Sequence, residues 1–385
     1  MTQITTHAVW LSHRKPGDPP IPTTLQIGPR LLGADHPVLI TAECGINHNG
    51  QLDLALRLID AAAAAGAEAM KFQLFRADGM YTPEAGDYLA STGQMMPIYS
   101  LMEELQLPLD WIPHLSRACR DNGVLFIMTV CDEWCVQAMD DFDFDVYKVA
   151  SYEVGHLPML AELAKRDKPI FMSTGCANLS EVEEALGVLG NRTIGLFQCT
   201  AKYPAPEDSL NLSVIETYAE RFPYCVPGFS DHSRDPVKAP VQAVYHGARM
   251  VEKHFTLDRN LPGADHSFAA EPQDLRALVQ AVREAEARLA AGDIPPLDPI
   301  LAGHPQKHVE PIEAGLRDFA TRGIFTIRDL KRGETFTRDN LRVLRPGQLP
   351  QGLHPRHFEG LLQKKTAARD LSAWHGLQLD DVADV

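Results

Sequence analysis

Short apolar runs recur along the chain and alternate with stretches of helical period. Short, continuous apolar runs are typical of strands buried on both faces of a parallel sheet. Between them, Leu52–Ala65 and Ser180–Leu189 repeat apolar residues with the period of a helix, and Gly66 follows the first stretch as a helix C-cap does. Eight strands that alternate with helices predict a (β/α)8 TIM barrel, an α/β fold. The predicted strands are Val38–Ala42, Ala67–Phe72, Val124–Met128, Val146–Ala150, Pro169–Met172, Thr193–Cys199, Cys225–Phe229 and Ala248–Val251.

The same pattern divides the chain into four parts. Residues 1–36 are rich in Pro and Gly without a clear period and predict an extended N-terminal leader, and residues 37–291 hold the barrel. The Pro-rich stretch Gly292–Pro305 predicts a linker over residues 292–316, and its stiffness suits holding the small domain away from its own barrel. Residues 317–385 form a small accessory domain with short strands. The long stretch after the second barrel strand, Arg76–Gln106, predicts an elaborated loop over the barrel mouth.

Composition narrows the classes of function. With 45% hydrophobic and 23% charged residues, the chain is typical of a soluble globular protein, and no apolar run reaches the length of a membrane span. A net charge of −15 disfavours nucleic acid or an anionic membrane as a partner, although a small anionic substrate stays possible. Seven cysteines without a repeating pattern, and an N-terminus without the order of a signal peptide, predict reduced thiols and a cytoplasmic protein.

Two predicted strand ends carry paired polar residues at i, i+2 spacing. These pairs are Ser230 with His232 and Glu252 with His254. Residues two apart in a strand share a face, so each pair points to one place. Two histidines with a nearby carboxylate could hold a divalent metal ion with positions left open. The alternative is two unrelated histidines, the more frequent role of any single histidine, but the matched pairs favour the metal.

Polar residues at the other strand ends indicate an anion site. The C-terminal ends of the strands form the active site of a TIM barrel. Lys71 and Lys148 lie inside apolar strands, where a charge is costly without a partner. Each could simply pair with a buried carboxylate, but two lysines among several hydroxyls favour a phosphate-binding site. The polar residues at the predicted strand ends are Glu43, Lys71, Gln73, Thr129, Lys148, Ser151, Ser173, Thr174, Thr200, Ser230, His232, Glu252 and His254.

Seven motifs follow one another in a fixed order. They are AECGINHNG (42–50), MKFQLF (70–75), YKVASYE (147–153), MSTG (172–175), CTAKYPAP (199–206), GFSDH (228–232) and EKHFTLDR (252–259). Together they resemble the sialic acid synthase family, which condenses phosphoenolpyruvate with an aldehyde sugar. The tail IRDLKRGETFTRDNLRVLRPG (327–347) resembles the antifreeze-like (SAF) domain of that family. The resemblance runs from about Pro37 to the C-terminus.

The resemblance implies roles for individual residues. The implied metal ligands are His232 and His254, for Mn²⁺ first, with Mg²⁺ or Co²⁺ as alternatives. The implied phosphoenolpyruvate-binding residues are Lys71, Thr129, Lys148, Ser151, Ser173 and Ser230. The implied sugar-binding residues are Gln73, Tyr203, Asp265 and Arg345. Catalytic roles fall on Glu43, Glu252, Lys71 and Lys148, with either glutamate as the base. A domain-swapped homodimer is also implied, in which Arg345 enters the barrel of the partner subunit.

The sequence departs from the family pattern in two places. Ala201 stands after the CT motif, where the family commonly has Asn or Ser, and the STPF-like stretch is replaced by Met128–Cys131, which keeps Thr129. Because a polar side chain is missing at Ala201, a catalytically lapsed sugar-binding protein is an alternative. A metal-dependent hydrolase or isomerase of the same fold is a further alternative, but it would not need Lys71 and Lys148.

Markers for the acceptor sugar point in two directions. YKVASYE, GLHP (352–355) and Phe268 are similar to pseudaminic acid synthases. GINHNG and Asp265-His266 are similar to N-acetylneuraminate or legionaminate synthases. We expect a nonulosonic acid synthase whose acceptor is a 2,4-diacetamido-6-deoxy hexose of the pseudaminic acid type, and N-acetylneuraminate or legionaminate synthase is the alternative.

Overall fold

The structure, a computed structural model, describes residues 24–89 and 95–384. In chain order its strands are β1 (Leu25–Ile27), β2 (Arg30–Leu32), β3 (Leu39–Gly45), β4 (Ala69–Leu74), β5 (Asp87–Leu89), β6 (Met95–Pro97), β7 (Leu125–Val130), β8 (Val146–Val149), β9 (Ile170–Ser173), β10 (Gly195–Cys199), β11 (Val226–Asp231), β12 (Met250–His254), β13 (Gly323–Thr326), β14 (Leu341–Leu344), β15 (Lys365–Ala367) and β16 (Val382–Asp384). The α-helices span Leu52–Ala65, Ala77–Met80, Ile98–Leu105, Ile112–Asp121, Glu133–Ala138, Leu157–Leu163, Leu179–Leu189, Ser213–Arg221, Lys238–Tyr245, Pro272–Ala290, Pro299–Ala302, Ala314–Ala320 and Phe358–Leu361.

Eight parallel strands close into a barrel in the order β3-β4-β7-β8-β9-β10-β11-β12, and β12 pairs with β3. Each predicted strand forms one strand of this barrel, which confirms the predicted TIM-type fold. The apolar runs are buried on both faces because helices cover the outside and the barrel interior covers the inside. The helix Leu52–Ala65 ends at Gly66, whose φ of 98° requires a residue without a side chain.

A hairpin of β1 and β2 closes the N-terminal end of the barrel. Its buried residues Leu25, Ile27 and Leu32 pack against inward-facing side chains of the barrel strands. The sequence pattern predicts an extended leader over residues 1–36, but from residue 24 onward the chain is part of the barrel core, because its apolar residues alternate as in a strand. Residues 1–23 lie outside the described residues. The hairpin therefore covers the N-terminal end of the barrel with apolar side chains, and the polar residues lie at the C-terminal ends of the strands.

The long segment after β4 folds over the barrel mouth. It contains the helix Ala77–Met80, the antiparallel pair β5 and β6, and the helix Ile98–Leu105. Its apolar side chains, among them Phe75 and Met102, form a cluster of their own at this end of the barrel. The predicted elaborated loop therefore has its own secondary structure and its own small core.

The linker lies against the barrel. The Leu212 N–H donates to the Leu301 carbonyl at 2.9 Å, and the Leu179 N–H donates to the Lys307 carbonyl at 3.2 Å. The Thr217 hydroxyl donates to the Pro305 carbonyl at 2.7 Å. A Pro-rich linker that holds the small domain away from its own barrel is therefore not what the structure shows, because these bonds fix the linker along the barrel wall.

The small domain consists of two antiparallel pairs, β13 with β14 and β15 with β16, around a separate apolar core. It docks on the mouth of its own barrel. The backbone N–H of Arg345 donates to the Met80 carbonyl at 2.8 Å, and Arg342 Nη1 lies 3.3 Å from Asp78 Oδ2. Docking in this place brings β14 and the turn after it to the C-terminal ends of the barrel strands.

All seven cysteines are buried free thiols. Within residues 24–89 and 95–384, no helix has both the length and the apolar character needed to cross a membrane.

Candidate active site

The predicted site residues meet in one cavity at the C-terminal end of the barrel. All of them line it: Glu43, Lys71, Gln73, Thr129, Lys148, Ser151, Ser173, Tyr203, Ser230, His232, Glu252, His254, Asp265 and Arg345. The barrel strands place most of these side chains, because inward-facing positions near the strand ends converge on the barrel axis. The roles that the sequence suggests for them stay predictions.

Two lysines share one glutamate at the centre of the cavity. Lys71 Nζ lies 3.0 Å from Glu252 Oε1, and Lys148 Nζ lies 3.1 Å from Glu252 Oε2. Lys71 also lies 3.2 Å from Glu43 Oε2. The alternative noted from the sequence, that each lysine pairs with a buried carboxylate, is therefore present in the structure. All four groups also line the cavity, so the pairing does not exclude a ligand.

Burial and these charges shift the pKa values in opposite directions. Burial opposes the charged form of Lys71, but Glu252 and Glu43 outweigh it and raise the pKa of that lysine. Burial lowers the pKa of Lys148, which Glu252 only partly offsets. Burial would raise the pKa of Glu252, yet Lys148 and Lys71 lower it. Burial and the nearby Glu252 raise the pKa of Glu43 against the pull of Lys71. The two glutamates are thus electrostatically different.

Hydroxyl groups surround the lysines. Lys148 Nζ donates to Ser173 Oγ at 2.6 Å, and Ser230 Oγ donates to Glu252 Oε1 at 3.1 Å. Ser151 Oγ accepts the Gly175 N–H at 2.9 Å. Thr129 Oγ1 is buried without a hydrogen-bond partner in the structure, which is unusual for a buried hydroxyl. A polar atom of this kind, beside two ammonium groups, is available to a bound anion.

Two predicted strand-end hydroxyls serve the barrel core instead of the cavity. Thr174 Oγ1 donates to the Phe197 carbonyl at 2.7 Å, and Thr200 Oγ1 donates to the Ser209 carbonyl at 2.7 Å.

The loops after β9 and β10 are held in place by the carboxylate of Glu313, which the sequence did not indicate. Glu313 Oε1 accepts the N–H groups of Cys176 at 2.9 Å and of Ala201 at 2.7 Å. The loop that lacks a polar side chain at Ala201 is therefore held through its backbone.

The two predicted metal ligands lie side by side. The ring centroids of His232 and His254 are 5.3 Å apart. His232 Nδ1 lies 2.8 Å from the Thr200 carbonyl oxygen, so this nitrogen carries the proton and leaves Nε2 as a lone-pair donor. His254 Nδ1 is buried without a hydrogen bond, and Asp265 Oδ2 lies 3.8 Å from it. Two adjacent imidazoles with an unpartnered nitrogen and a nearby carboxylate fit a divalent cation.

Aromatic and apolar side chains cover the rest of the cavity. The Tyr203 ring lies 4.3 Å from the His232 ring and 5.4 Å from the Phe268 ring, measured between centroids. Burial, and then the charge of Glu43, raise the pKa of Asp265 to about 7. Sequence reasoning did not identify the apolar wall. It comes from the segments that follow β3 and β4 and from the helix Ala314–Ala320: Ile46, Phe75, Met80, Tyr81, Tyr88, Ile98, Leu101, Met102, Leu316, Phe319 and Ala320.

Arg345 enters the cavity of its own barrel. Its Nη2 donates to Glu153 Oε1 at 2.5 Å, and its guanidinium lies 5.1 Å from the centre of the Tyr152 ring. Arg322 donates to both oxygens of the same glutamate, at 2.6 and 3.2 Å. The resemblance implied an arginine from a partner subunit. In the structure of one chain, Arg345 reaches its own barrel, where Glu153 binds both arginines, and the domain-swapped homodimer stays a prediction.

Glu153 and Arg322 were not among the predicted site residues. Glu153 lies in the YKVASYE motif directly after β8, so its position near the cavity could have been expected. Its two partners come from the other end of the chain, and no spacing in the sequence indicates that pairing. The apolar wall was missed for a similar reason, since it joins segments that are more than two hundred residues apart.

Comparisons with known proteins agree with this architecture. Spore coat polysaccharide biosynthesis protein SpsE of Bacillus subtilis is 47% identical over 360 residues, which cover 93% of this chain and 96% of that protein. Its crystal structure matches with a TM-score of 0.84 over 94% of this chain and 99% of its own. In Campylobacter jejuni, N,N'-diacetyllegionaminic acid synthase is 33% identical over 86% of this chain and 97% of its own length. Pseudaminic acid synthase of the same organism is 32% identical over 93% of this chain and 99% of its own length.

Two family models match the chain, one for each structural unit. The model described as NeuB family matches residues 58–293, and the model described as SAF domain matches residues 321–383. The first match covers most of the barrel, and the second covers the small domain that docks on its mouth. The chain therefore belongs to the NeuB family and carries a C-terminal SAF domain.

Proposed function

We propose that the chain is a nonulosonic acid synthase. It condenses phosphoenolpyruvate with the open-chain aldehyde of a 2,4-diacetamido-2,4,6-trideoxy hexose and releases a nine-carbon 2-keto sugar acid and phosphate. The observation that carries the proposal is a single cavity in which two buried lysines and an apolar wall flank a pair of histidines. Relatives that are synthases of pseudaminic and legionaminic acid support the reaction class.

The lysine side of the cavity suits the phosphate of phosphoenolpyruvate. Lys71 and Lys148 place two ammonium groups around Glu252, with Ser173 and Ser230 beside them. A phosphate bound beside Glu252 would gain charge-assisted hydrogen bonds from the remaining N–H donors of these ammonium groups. The unpartnered Thr129 hydroxyl gives a further donor. These groups would stabilise the charge that develops as the C–O bond to phosphate breaks.

Bond changes in this reaction balance without an oxidant or reductant. The C3 carbon of phosphoenolpyruvate bonds to the aldehyde carbon, whose oxygen becomes a hydroxyl by taking a proton. Water adds to C2, and the phosphate leaves with the bridging oxygen, so that C2 becomes a ketone. A divalent ion on His232 and His254, Mn²⁺ in the first place, would supply Lewis acidity toward the aldehyde oxygen.

Glu43 is the better candidate for the group that takes the proton from water. Its pKa is raised by burial and by Glu252, as a base that works near neutral pH requires. Glu252 is held ionised by two lysines and is engaged in binding them. Gln73 Nε2 donates to Glu43 Oε1 at 2.6 Å and fixes the orientation of that carboxylate. We therefore assign the base to Glu43 and the organisation of the lysines to Glu252.

The apolar wall selects among acceptor sugars. Deoxygenation at C6 and two acetamido methyl groups give such a hexose several apolar contacts, whereas N-acetylmannosamine carries a hydroxyl at C6. A hydroxyl placed against Phe75, Met102 and Phe319 would lose its hydrogen bonds to water without replacement. The wall therefore favours the trideoxy sugars over N-acetylmannosamine.

The test is a synthase assay on the full-length chain with phosphoenolpyruvate, Mn²⁺ and single sugars. Phosphate release and product mass are measured with 2,4-diacetamido-2,4,6-trideoxy hexoses of different configuration and with N-acetylmannosamine. We expect the highest kcat/KM with a trideoxy sugar. Lys71→Met should abolish turnover, whereas Lys364→Met, on an exposed residue of the SAF domain, should not change it. Preference for N-acetylmannosamine would reassign the acceptor, and sugar binding without any phosphate release would indicate a lapsed enzyme.

A further inference from the structure

Outside the barrel cavity, two imidazoles and a carboxylate converge on the linker. His304 Nε2 lies 3.2 Å from Glu310 Oε1, and His308 Nε2 lies 3.1 Å from the same oxygen. The two imidazole rings are nearly parallel, with an angle of 13° and 4.3 Å between their centroids. In the part of the chain that the structure describes, these are the three His, Cys, Asp or Glu side chains whose possible ligand atoms all lie within 4.8 Å of one another.

The backbone and a neighbouring amide hold these three residues in place. Asn211 Nδ2 donates to Glu310 Oε1 at 2.7 Å, and Asn211 Oδ1 accepts the backbone N–H of His304 at 3.2 Å. Glu310 also shares a reciprocal capping box with Glu313, in which the Glu310 N–H donates to Glu313 Oε2 at 2.8 Å. The carboxylate is therefore oriented before any ligand arrives, and Asn211 ties the group to the barrel.

Hydrogen bonding alone does not account for this arrangement. A carboxylate has about four lone-pair sites on its two oxygens, which is about two for Oε1. Asn211 occupies one of them, and both imidazole nitrogens compete for the other. A cation between the three atoms removes the conflict, because neutral imidazoles then offer lone pairs instead of N–H donors.

The N–O spacing also suits a tetrahedral ion, once the two nearly parallel rings turn about their side-chain bonds so that both Nε2 lone pairs point to one centre. Ligand bonds of about 2.0–2.1 Å place neighbouring ligand atoms about 3.3 Å apart in a tetrahedron. The observed separations of 3.1 and 3.2 Å are close to that value. Two imidazoles and one carboxylate form a ligand set that Zn²⁺ and similar ions accept, with a fourth position open to water. The imidazole side chains are 42% and 44% exposed, so an ion can reach them from solvent.

We propose that His304, His308 and Glu310 form a structural site for a Zn²⁺-type divalent ion, separate from the histidine pair in the barrel. The ion closes the segment His304–Glu310 into a loop and fastens it beside Asn211. Its position matters because Glu310 caps the turn that carries Glu313, and Glu313 holds the loops after β9 and β10. The site thus stabilises the part of the linker on which those loops depend.

Metal counting on the full-length chain tests the proposal. The protein is stripped with chelator, reloaded with Zn²⁺ or Co²⁺, passed over a desalting column and analysed by mass spectrometry for metal content. In a His232→Ala, His254→Ala background we expect about one bound equivalent, which His308→Gln removes. His114→Gln, on an exposed histidine of the helix Ile112–Asp121, is the matched control and should keep the equivalent. Bound Co²⁺ should show the strong visible absorption of a tetrahedral site.

The design separates this proposal from the one for the barrel. If the barrel histidines bind no metal, the wild-type chain still loses its equivalent with His308→Gln. Glu310→Gln is a second variant, and circular dichroism shows whether either variant is folded. The proposal is overturned if the barrel-variant background binds no ion, or if its ion persists in both folded variants.

Discussion

Glu313 provides a direct test of how the linker controls the cavity. It is fully buried and accepts three backbone N–H groups, from Cys176 at 2.9 Å, Ala201 at 2.7 Å and Glu310 at 2.8 Å. Cys176 lies three residues after Ser173, and Ala201 lies two residues after the end of β10. One carboxylate therefore joins two loops of the barrel to the linker.

Glu313→Gln keeps the shape of the side chain but removes one acceptor and the charge. If the amide oxygen stays on the two barrel loops, its NH₂ group faces the Glu310 N–H, and that bond is lost at a cost of about 1 kcal/mol. The other two bonds change from charge-assisted to neutral, which weakens each by roughly 1 kcal/mol. We expect a loss of about 3 kcal/mol in unfolding free energy. The opposite orientation of the amide costs more, because two donors then face the NH₂ group.

The same substitution should weaken phosphoenolpyruvate binding more than it slows turnover. Looser loops around Ser173 should weaken the binding of phosphoenolpyruvate. If half of the lost free energy appears in this binding step, KM for phosphoenolpyruvate rises about ten-fold. Stability is followed by tryptophan fluorescence in urea, and KM and kcat by phosphate release with each substrate varied. We expect little change in the KM of the sugar.

Glu286→Gln is the matched control at the other end of the barrel. Glu286 Oε1 accepts the Val38 N–H at 2.6 Å, so this variant undergoes the same chemical change far from the cavity. It should lose stability without a change in KM. If Glu313→Gln leaves KM for phosphoenolpyruvate unchanged while stability falls, or if both variants raise KM alike, the argument that Glu313 positions the loops is wrong.

Three further outcomes follow from the site. Chelator should abolish synthase activity and Mn²⁺ restore it, and His232→Ala should lose turnover together with barrel metal; full activity in chelator would refute the metal assignment. Burial would raise the pKa of Glu153, but Arg322 and Arg345 lower it from 4.5 to about 2. The resulting stabilisation, roughly 3 kcal/mol, is complete above pH 4.5 and is lost as the pH falls toward 2. The near-UV circular dichroism of the wild-type protein should therefore change between pH 4.5 and 2. The change should be smaller in Glu153→Gln. Mixed Arg345→Ala and His232→Ala chains should show no recovery of activity if the arginine serves its own barrel, whereas recovery in demonstrated heterodimers would show that copies exchange the SAF domain.

Local patterns were enough to predict the barrel and most of the cavity. Each strand is an apolar run, and in a closed parallel barrel the residue at the end of such a run faces one common place. Lys71, Lys148, Glu252 and His254 are therefore neighbours in space because they occupy inward-facing positions on only three barrel strands, β4, β8 and β12. Which side chains meet in the cavity can therefore be predicted from their positions in the apolar runs, without knowledge of contacts between distant segments.

Contacts between distant segments were not predictable in this way. The N-terminal hairpin has the alternation of a strand, but the Pro and Gly around it hide that period. Glu313 accepts N–H groups from residues more than one hundred positions earlier, and nothing near it in the sequence marks it as different from a helix-capping acid. The linker was misjudged for the same reason, since proline content indicates stiffness but does not indicate the surface on which a stiff segment lies.

Glu153 explains why the SAF domain belongs to the active site whatever the assembly of copies. Its carboxylate is fully buried, and the arginines that donate to it, Arg322 and Arg345, both lie within the residues matched by the SAF family model. A barrel without a docked SAF domain would leave this carboxylate either charged without a partner or exposed, and the loss of one partner of a buried ion pair costs about 3–5 kcal/mol. A docked SAF domain therefore provides the partners of this carboxylate, and the apolar wall of the cavity is complete only when Phe319 and the rest of its helix are in place. Under the proposed function, acceptor specificity depends on both units, and substitutions at Glu153 should alter sugar selection through Arg345, although Glu153 is not part of the apolar wall.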